Sequence, residues 1–197
     1  MIKVISISGR TGSGKQEVLR ALHDRIPGAQ VVMSDTTRDP RQSDIPNLRN
    51  HRLHCAYQHL RWTDPFLWSV RHDGADYGTS AIELERVFRK PNAVGLMSVV
   101  PDVVPELNRI VTGRAGGSDA HVAVYILSTN KKMTLRRQIH GHRVGLVAKD
   151  RRRDTTVEEA GWYKLARSNA PFMRALFVRN NVSPEHTAQV IIRRLGL

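Results

Sequence analysis

The stretch Gly9-Arg10-Thr11-Gly12-Ser13-Gly14-Lys15-Gln16 combines glycines and a lysine at a spacing suited to holding phosphate. Glycines let a loop fold tightly enough for backbone N–H groups to converge on anionic oxygens, and a following helix adds the positive end of its dipole. Lys15 is placed to reach the phosphoryl group being moved. Gln16 stands where a serine or threonine hydroxyl would ordinarily meet magnesium. Its longer neutral amide reaches a metal through water, with Ser13, Ser34 or an outer acidic residue as compensating donors. These residues assign no metal ligand. They point to phosphoryl transfer, or to a pocket that binds a nucleotide without efficient turnover.

Two arginine-bearing segments favour transfer. Arg38 and Arg41, in Thr36-Thr37-Arg38-Asp39-Pro40-Arg41, are spaced to clamp an acceptor phosphate. Arg136, Arg143, Arg151 and Arg152 lie in a basic stretch suited to closing over a donor and neutralising charge in the transition state. Asp35 is a candidate base for an acceptor hydroxyl; an ionised phosphate acceptor has less need of one. Capping a turn or pairing with an arginine is its plain structural role. His51, His54 and His59 surround Cys55 without a metal-ligand spacing and read as loop or packing residues.

A scaffold must position these groups. At 197 residues with 40% hydrophobic content, the chain suits one domain with an ordinary core. No apolar run approaches the roughly 20 residues of a membrane span. With no basic leader before an apolar block, and a single cysteine, a cytoplasmic protein is expected. The formal charge of +13 favours anionic partners, nucleotides or nucleic acid. From Lys131 to Arg153 there are nine Lys and Arg against one acid, Asp150.

Residues 2–8 read as a buried strand, and Val18, Leu19, Leu22 and Ile26 recur on one helical face that Pro27-Gly28 ends. Further strands are expected at 30–33, 93–100, 121–127 and 175–178. Helices are expected at 81–89, 102–111, 131–140, 157–168 and 184–195, with a break at Gly113-Arg114-Ala115-Gly116-Gly117. Alternating strands and helices predict an α/β fold with a parallel sheet covered on both faces. The core comprises 1–34 and 81–197, with a basic lid at about 136–155. Residues 35–80, rich in Arg, His, Asp and aromatics with poor periodicity, form an acceptor-binding subdomain.

In this order of segments the chain resembles guanylate kinase and its P-loop nucleoside-monophosphate kinase relatives. Gly9 to Lys15 matches the donor loop, and Ser34, Thr37, Arg38 and Arg41 match the acceptor-phosphate segment. Asp76-Tyr77-Gly78-Thr79-Ser80 is a second match that brings Tyr77 and Ser80 to the acceptor, with Tyr57 a further phosphate contact. The run beginning Leu135-Arg136-Arg137-Gln138 resembles the donor-closing lid. The resemblance implies a parallel five-stranded sheet flanked by helices, mobile acceptor-binding and lid regions, and ATP- and Mg2+-dependent transfer to a nucleoside or deoxynucleoside monophosphate.

The chain departs from that pattern in its acids. Trp68 stands where the family supplies a guanine-reading glutamate, and Ser98 and Val100 stand where it supplies aspartates. Guanine's N–H edge asks for acceptors, whereas indole offers a stacking face and one donor, so strict GMP specificity is not expected. Trp68 reads a different base, reads an extruded base, or fills the altered pocket. Two alternatives follow. One is a phage-type kinase acting on a 5-hydroxymethyl pyrimidine in DNA, with Tyr57, Trp62, Phe66 and Trp68 stacking on bases and Asp35 as base. The other is a catalytically weak binding module.

Overall fold

The computed structural model describes residues 1–10, 12–37, 66–72, 75–127 and 155–197. Its centre is a parallel sheet of five strands: β1 (Val4–Ser8), β2 (Ala29–Val31), β6 (Val94–Ser98), β7 (His121–Leu127) and β8 (Ala175–Arg179). Their order across the sheet is β2-β6-β1-β7-β8. Every pairing is parallel, with Val4 opposite Gly95 on one side and His121 on the other.

Alternation along the central strands sorts side chains into two apolar clusters, one on each face. Ile5 and Ile7 of β1, with Val122, Val124 and Ile126 of β7, meet α1 (Lys15–His23) and α5 (Pro184–Leu195). Val4, Ala123 and Tyr125 point to the opposite face. There they join Leu84 and Val87 of α2 (Ala81–Phe88), Leu107 and Val111 of α3 (Val104–Ala115) and Ala166 of α4 (Thr155–Asn169). Burial on both faces explains why β1 and β7 read as nearly continuous apolar runs. No described helix is long and apolar enough to cross a membrane.

A second, antiparallel sheet has the order β3-β5-β4, built from β3 (Asp35–Thr36), β4 (Phe66–His72) and β5 (Ala75–Ser80). Gly78 is required here by close packing. A Cβ on it would lie 2.7 Å from the Phe66 ring.

The described elements follow the sequence pattern closely, with shifted ends. The expected break at Gly113 does not occur: α3 runs through Gly113 and Arg114 and stops at Gly116, whose φ of 69° suits the left-handed cap. A 3-10 segment, Pro101–Val103, leads directly into it. For α5, Ser183 accepts from the His186 backbone N–H at 3.1 Å, and Gly196 with φ 70° ends the helix. The helix expected at 131–140 lies outside the described residues.

Candidate phosphate-binding site

The loop between β1 and α1 is shaped by its glycines. Gly9, Gly12 and Gly14 have φ values of 155°, 82° and 84°. At Gly9 a Cβ would lie 2.6 Å from the backbone oxygen of Ile126, so the loop passes too close to β7 for any side chain. Gly14 is the N-cap of α1 and supplies no side-chain cap. The first turn of α1 thus has no side-chain cap from Gly14 and carries the positive end of the helix dipole, and Lys15 lies in that same turn. Its ammonium folds back over the loop, donating to the carbonyl of Gly9 and, at 2.9 Å, to that of Arg10.

Other contacts hold this loop still. Asn180, just beyond β8, donates its amide to the Ser13 carbonyl at 3.0 Å and accepts from the Thr187 hydroxyl at 3.0 Å. All three residues are buried. Nothing local in the sequence marks Asn180 as part of the loop; only its place directly after the last core strand could have suggested it. On β1, the Ser8 hydroxyl donates to the Val99 carbonyl at 2.9 Å. At the opposite, amino end of β7, the buried His121 ring lies between Asn108 Oδ1 at 3.1 Å and Ser6 Oγ at 2.9 Å. Asn108 Oδ1 can only accept, so Nδ1 donates to it and Nε2 accepts from Ser6. Burial lowers the His121 pKa to about 4, which keeps the ring neutral.

The acceptor candidates leave the same end of the main sheet. β2 and β1 run parallel with β6 between them, so Ser34 and Gly9 emerge from one carboxyl edge. Two strand spacings put the two exits roughly 10 Å apart along that edge. Ligands of such sheets bind outside the carboxyl ends of the strands. Ser34 and Ser80 are both buried, and Ser34 Oγ is 2.8 Å from Thr79 Oγ1. Asp35 pairs with Gly78 across the small sheet, and Tyr77 is half-buried on the same strand as Ser80.

Two expected contacts take on structural partners. Thr37 is clipped to β5: its N–H donates to the Asp76 carbonyl at 3.0 Å, and its hydroxyl accepts from the Asp76 N–H at 2.8 Å. Trp68 is only 8% exposed and packs in one cluster with Leu84, Val87, Met97 and Val99. Its indole N–H finds no hydrogen-bond partner among the described residues. In this conformation the ring fills the space its position commands. Thr11, Arg38, Arg41, Tyr57, Arg136, Arg143, Arg151 and Arg152 lie outside the described residues.

The donors present fit phosphate better than they fit a metal. Ser13 is buried inside the loop with its hydroxyl unpartnered among the described residues, while Gln16 is exposed on the first turn of α1. Between the donor and acceptor exits, β6 ends at Ser98 and is followed by Val99 and Val100, all uncharged. Among the described residues no three His, Cys, Asp or Glu side chains gather as a metal site.

No family model matches the chain. Over 79 residues it is 35% identical to the guanylate kinase of Gloeobacter violaceus, a match covering 39% of this chain and 38% of that protein. A longer match, to the guanylate kinase of Mycobacterium leprae, is 25% identical over 157 residues and covers 75% of each chain. The chain thus spans about two-fifths of the length of the first curated relatives it matches. In fold it is similar to the crystal structure of guanylate kinase from Anaplasma phagocytophilum, with a TM-score of 0.62 and 16% identity over 98% of this chain and 84% of that one. A parallel five-stranded sheet between helices, a glycine-lysine loop at its carboxyl edge and these matches agree: the chain is a distant, divergent homologue of the guanylate kinases.

Proposed function

We propose that the protein is an ATP-dependent phosphotransferase that moves the γ-phosphoryl group onto a nucleoside or deoxynucleoside monophosphate other than strictly GMP. The observation that carries this reading is the shared carboxyl edge: the phosphate loop and the acceptor segment leave it on either side of β6. In-line transfer needs little covalent chemistry from a protein. It needs two phosphates held close, water excluded and charge neutralised.

In this mechanism the loop from Gly9 to Lys15 and the N-terminus of α1 hold the donor phosphates. Lys15 shifts from the loop carbonyls to the oxygens of the moving group. Ser34, Ser80 and Tyr77 face the acceptor with Arg38 and Arg41, while Arg136, Arg143, Arg151 and Arg152 approach from the donor side. Magnesium, if bound, would neutralise charge on the transferring phosphates and would be held largely by the substrate's own phosphates and water. No residue described above is assigned to it.

Base selection departs from the guanylate kinases because Trp68 occupies its site as packing and β6 ends without acids. The net charge of +13 supports a second reading, in which the acceptor is a 5-hydroxymethyl pyrimidine in DNA and Asp35 takes the hydroxyl proton. Labelled ATP γ-phosphate offered to separate pools of mononucleotides and of native and hydroxymethylated DNA tests both. Label in a mononucleotide supports the first and label in DNA the second. Absence of label from every pool overturns phosphotransfer.

A further inference from the structure

Charge is one-sided where α4 leads into β8. Residues 160–184 contain Lys164, Arg167, Arg174 and Arg179 and no Asp or Glu. Lys164, Arg167 and Arg179 are exposed and Arg174 is half-buried; none of them forms an ion pair among the described residues. On α2 and α3, by contrast, Arg86, Arg109 and Arg114 are paired with Glu83, Glu106 and Glu85. Positive charge left uncompensated in one region attracts an anionic partner.

These cations flank an aromatic layer at the edge of the main sheet, where β8 pairs with β7 alone among the described strands. The Phe177 ring of β8 stacks on Tyr125 with centroids 5.1 Å apart, and Tyr163 of α4 meets it edge-on at 5.8 Å. The Arg167 guanidinium lies 5.3 and 5.6 Å from the Tyr163 and Phe177 centroids, and its Nε–H donates to the Tyr163 hydroxyl at 2.9 Å. That bond anchors the guanidinium and leaves its terminal N–H groups without a partner among the described residues. By strand alternation Arg179 projects on the same face as Phe177. Two rings reach solvent: Tyr163, 39% exposed, and Phe172, 82% exposed in the 3-10 turn Ala170–Phe172 that carries α4 toward β8.

We propose that this α4–β8 surface binds a single-stranded nucleic acid, with phosphates on Lys164, Arg167 and Arg179 and bases against Tyr163 and Phe172. Such strands are held by cations that follow the backbone and by exposed rings that stack on any base. An edge strand also invites an extended peptide, and the backbone here argues against one. The Arg174 carbonyl accepts from the Ala123 N–H at 2.9 Å, so the Phe177 carbonyl, three residues on, points away from β7. Arg194 of α5 donates to that carbonyl at 3.4 Å and takes the place a peptide N–H would need. The surface lies at the opposite edge of the sheet from β2. Four strand spacings, roughly 19 Å, separate it from the acceptor exit, so it stands apart from the phosphotransfer reading.

The test is fluorescence anisotropy of the full chain with a labelled oligothymidylate of about 16 nucleotides, without ATP or magnesium. The single strand should bind at least about tenfold more tightly than a duplex of the same length, because paired bases cannot stack on the rings. Lys164→Glu combined with Arg179→Glu should weaken binding at least about tenfold, and Phe172→Ala about fivefold. Arg89→Glu combined with Lys90→Glu, at the end of α2, changes net charge equally and should bind within about twofold of the wild type. Each variant is first checked for an unchanged cooperative melt. Weakening in either folded surface variant, with binding kept by the α2 pair, supports the surface. It is overturned if the wild type binds no single strand, if duplex binds as tightly, or if the surface variants bind like the wild type. Equal weakening by the α2 pair, or displacement of the strand by an oligoglutamate as readily as by unlabelled oligothymidylate, overturns it too.

Discussion

The side-chain amide of Asn180 donates to the backbone carbonyl of Ser13 across a sequence separation of 167 residues, fastening the phosphate loop to the end of the last core strand. The same amide accepts from Thr187 on α5, so loop, strand and closing helix share one buried polar link. The candidate phosphate loop is thus tied in place by a residue far from it in sequence.

Replacing Asn180 with Ala should leave the Ser13 carbonyl buried and unpaired, at a cost of about 1–3 kcal/mol. Urea denaturation should show that loss and nucleotide titration a parallel weakening of ATP binding. Asn180→Asp should bind ATP more weakly still, because a carboxylate cannot donate to Ser13 and adds negative charge beside the loop. Wild-type ATP affinity in both variants would remove Asn180 from the site.

Lys15 donates to the carbonyls of Gly9 and Arg10 at the surface of the loop. Lys15→Ala should reduce phosphoryl transfer about 100- to 1,000-fold, the scale of losing one charged donor to a transition state. Its circular dichroism and melting midpoint should stay close to wild type. Normal steady-state transfer by this variant would sink the assignment of the loop.

Gln16 is exposed on the first turn of α1, in the position where a hydroxyl would approach a metal. Gln16→Thr should lower the magnesium concentration giving half-maximal transfer, whereas Gln16→Ala should leave it near wild type. A magnesium titration of the transfer rate distinguishes the three proteins. Equal midpoints for Thr and Gln would mean that this position has no bearing on the metal.

His121 predicts an acid-sensitive fold. Its pKa falls from 6.5 in the unfolded chain to about 4 in the folded one, because the ring is buried. Between those values the unfolded state binds a proton that the folded state does not, so stability is intact above pH 6.5 and declines as pH falls toward 4. The shift corresponds to roughly 3 kcal/mol at the lower end. Urea midpoints taken from pH 7 to pH 4 should fall steadily. His121→Gln, already less stable at pH 7, should flatten that part of the profile; an unchanged slope would exclude His121 as its source.

Much of the fold was legible in the amino-acid order. Glycine spacing before Lys15, Pro27-Gly28 after the first helix, and Ser183-Pro184 before the last act through neighbouring backbone, so local chemistry sets the outcome. β1 and β7 announced themselves as apolar runs because both their faces are covered. The end of α3 was misplaced because Gly113 lies in open space, where glycine weakens a helix without stopping it; the left-handed residue is Gly116.

What tertiary structure alone decided is which distant groups share one environment. The residue types placed Lys15 in a phosphate loop, and they left Trp68 equally able to stack on a base or to fill a pocket. Only the packing of β4 against α2 and β6 buries that ring. Likewise Tyr125 reads as one more aromatic in a strand until α4 and the loop close around its hydroxyl. Local sequence determines backbone conformation because turns, caps and alternation depend on adjacent residues. Burial, pairing and an orphaned hydroxyl depend on segments a hundred or more residues away, so they exist only once the chain has folded.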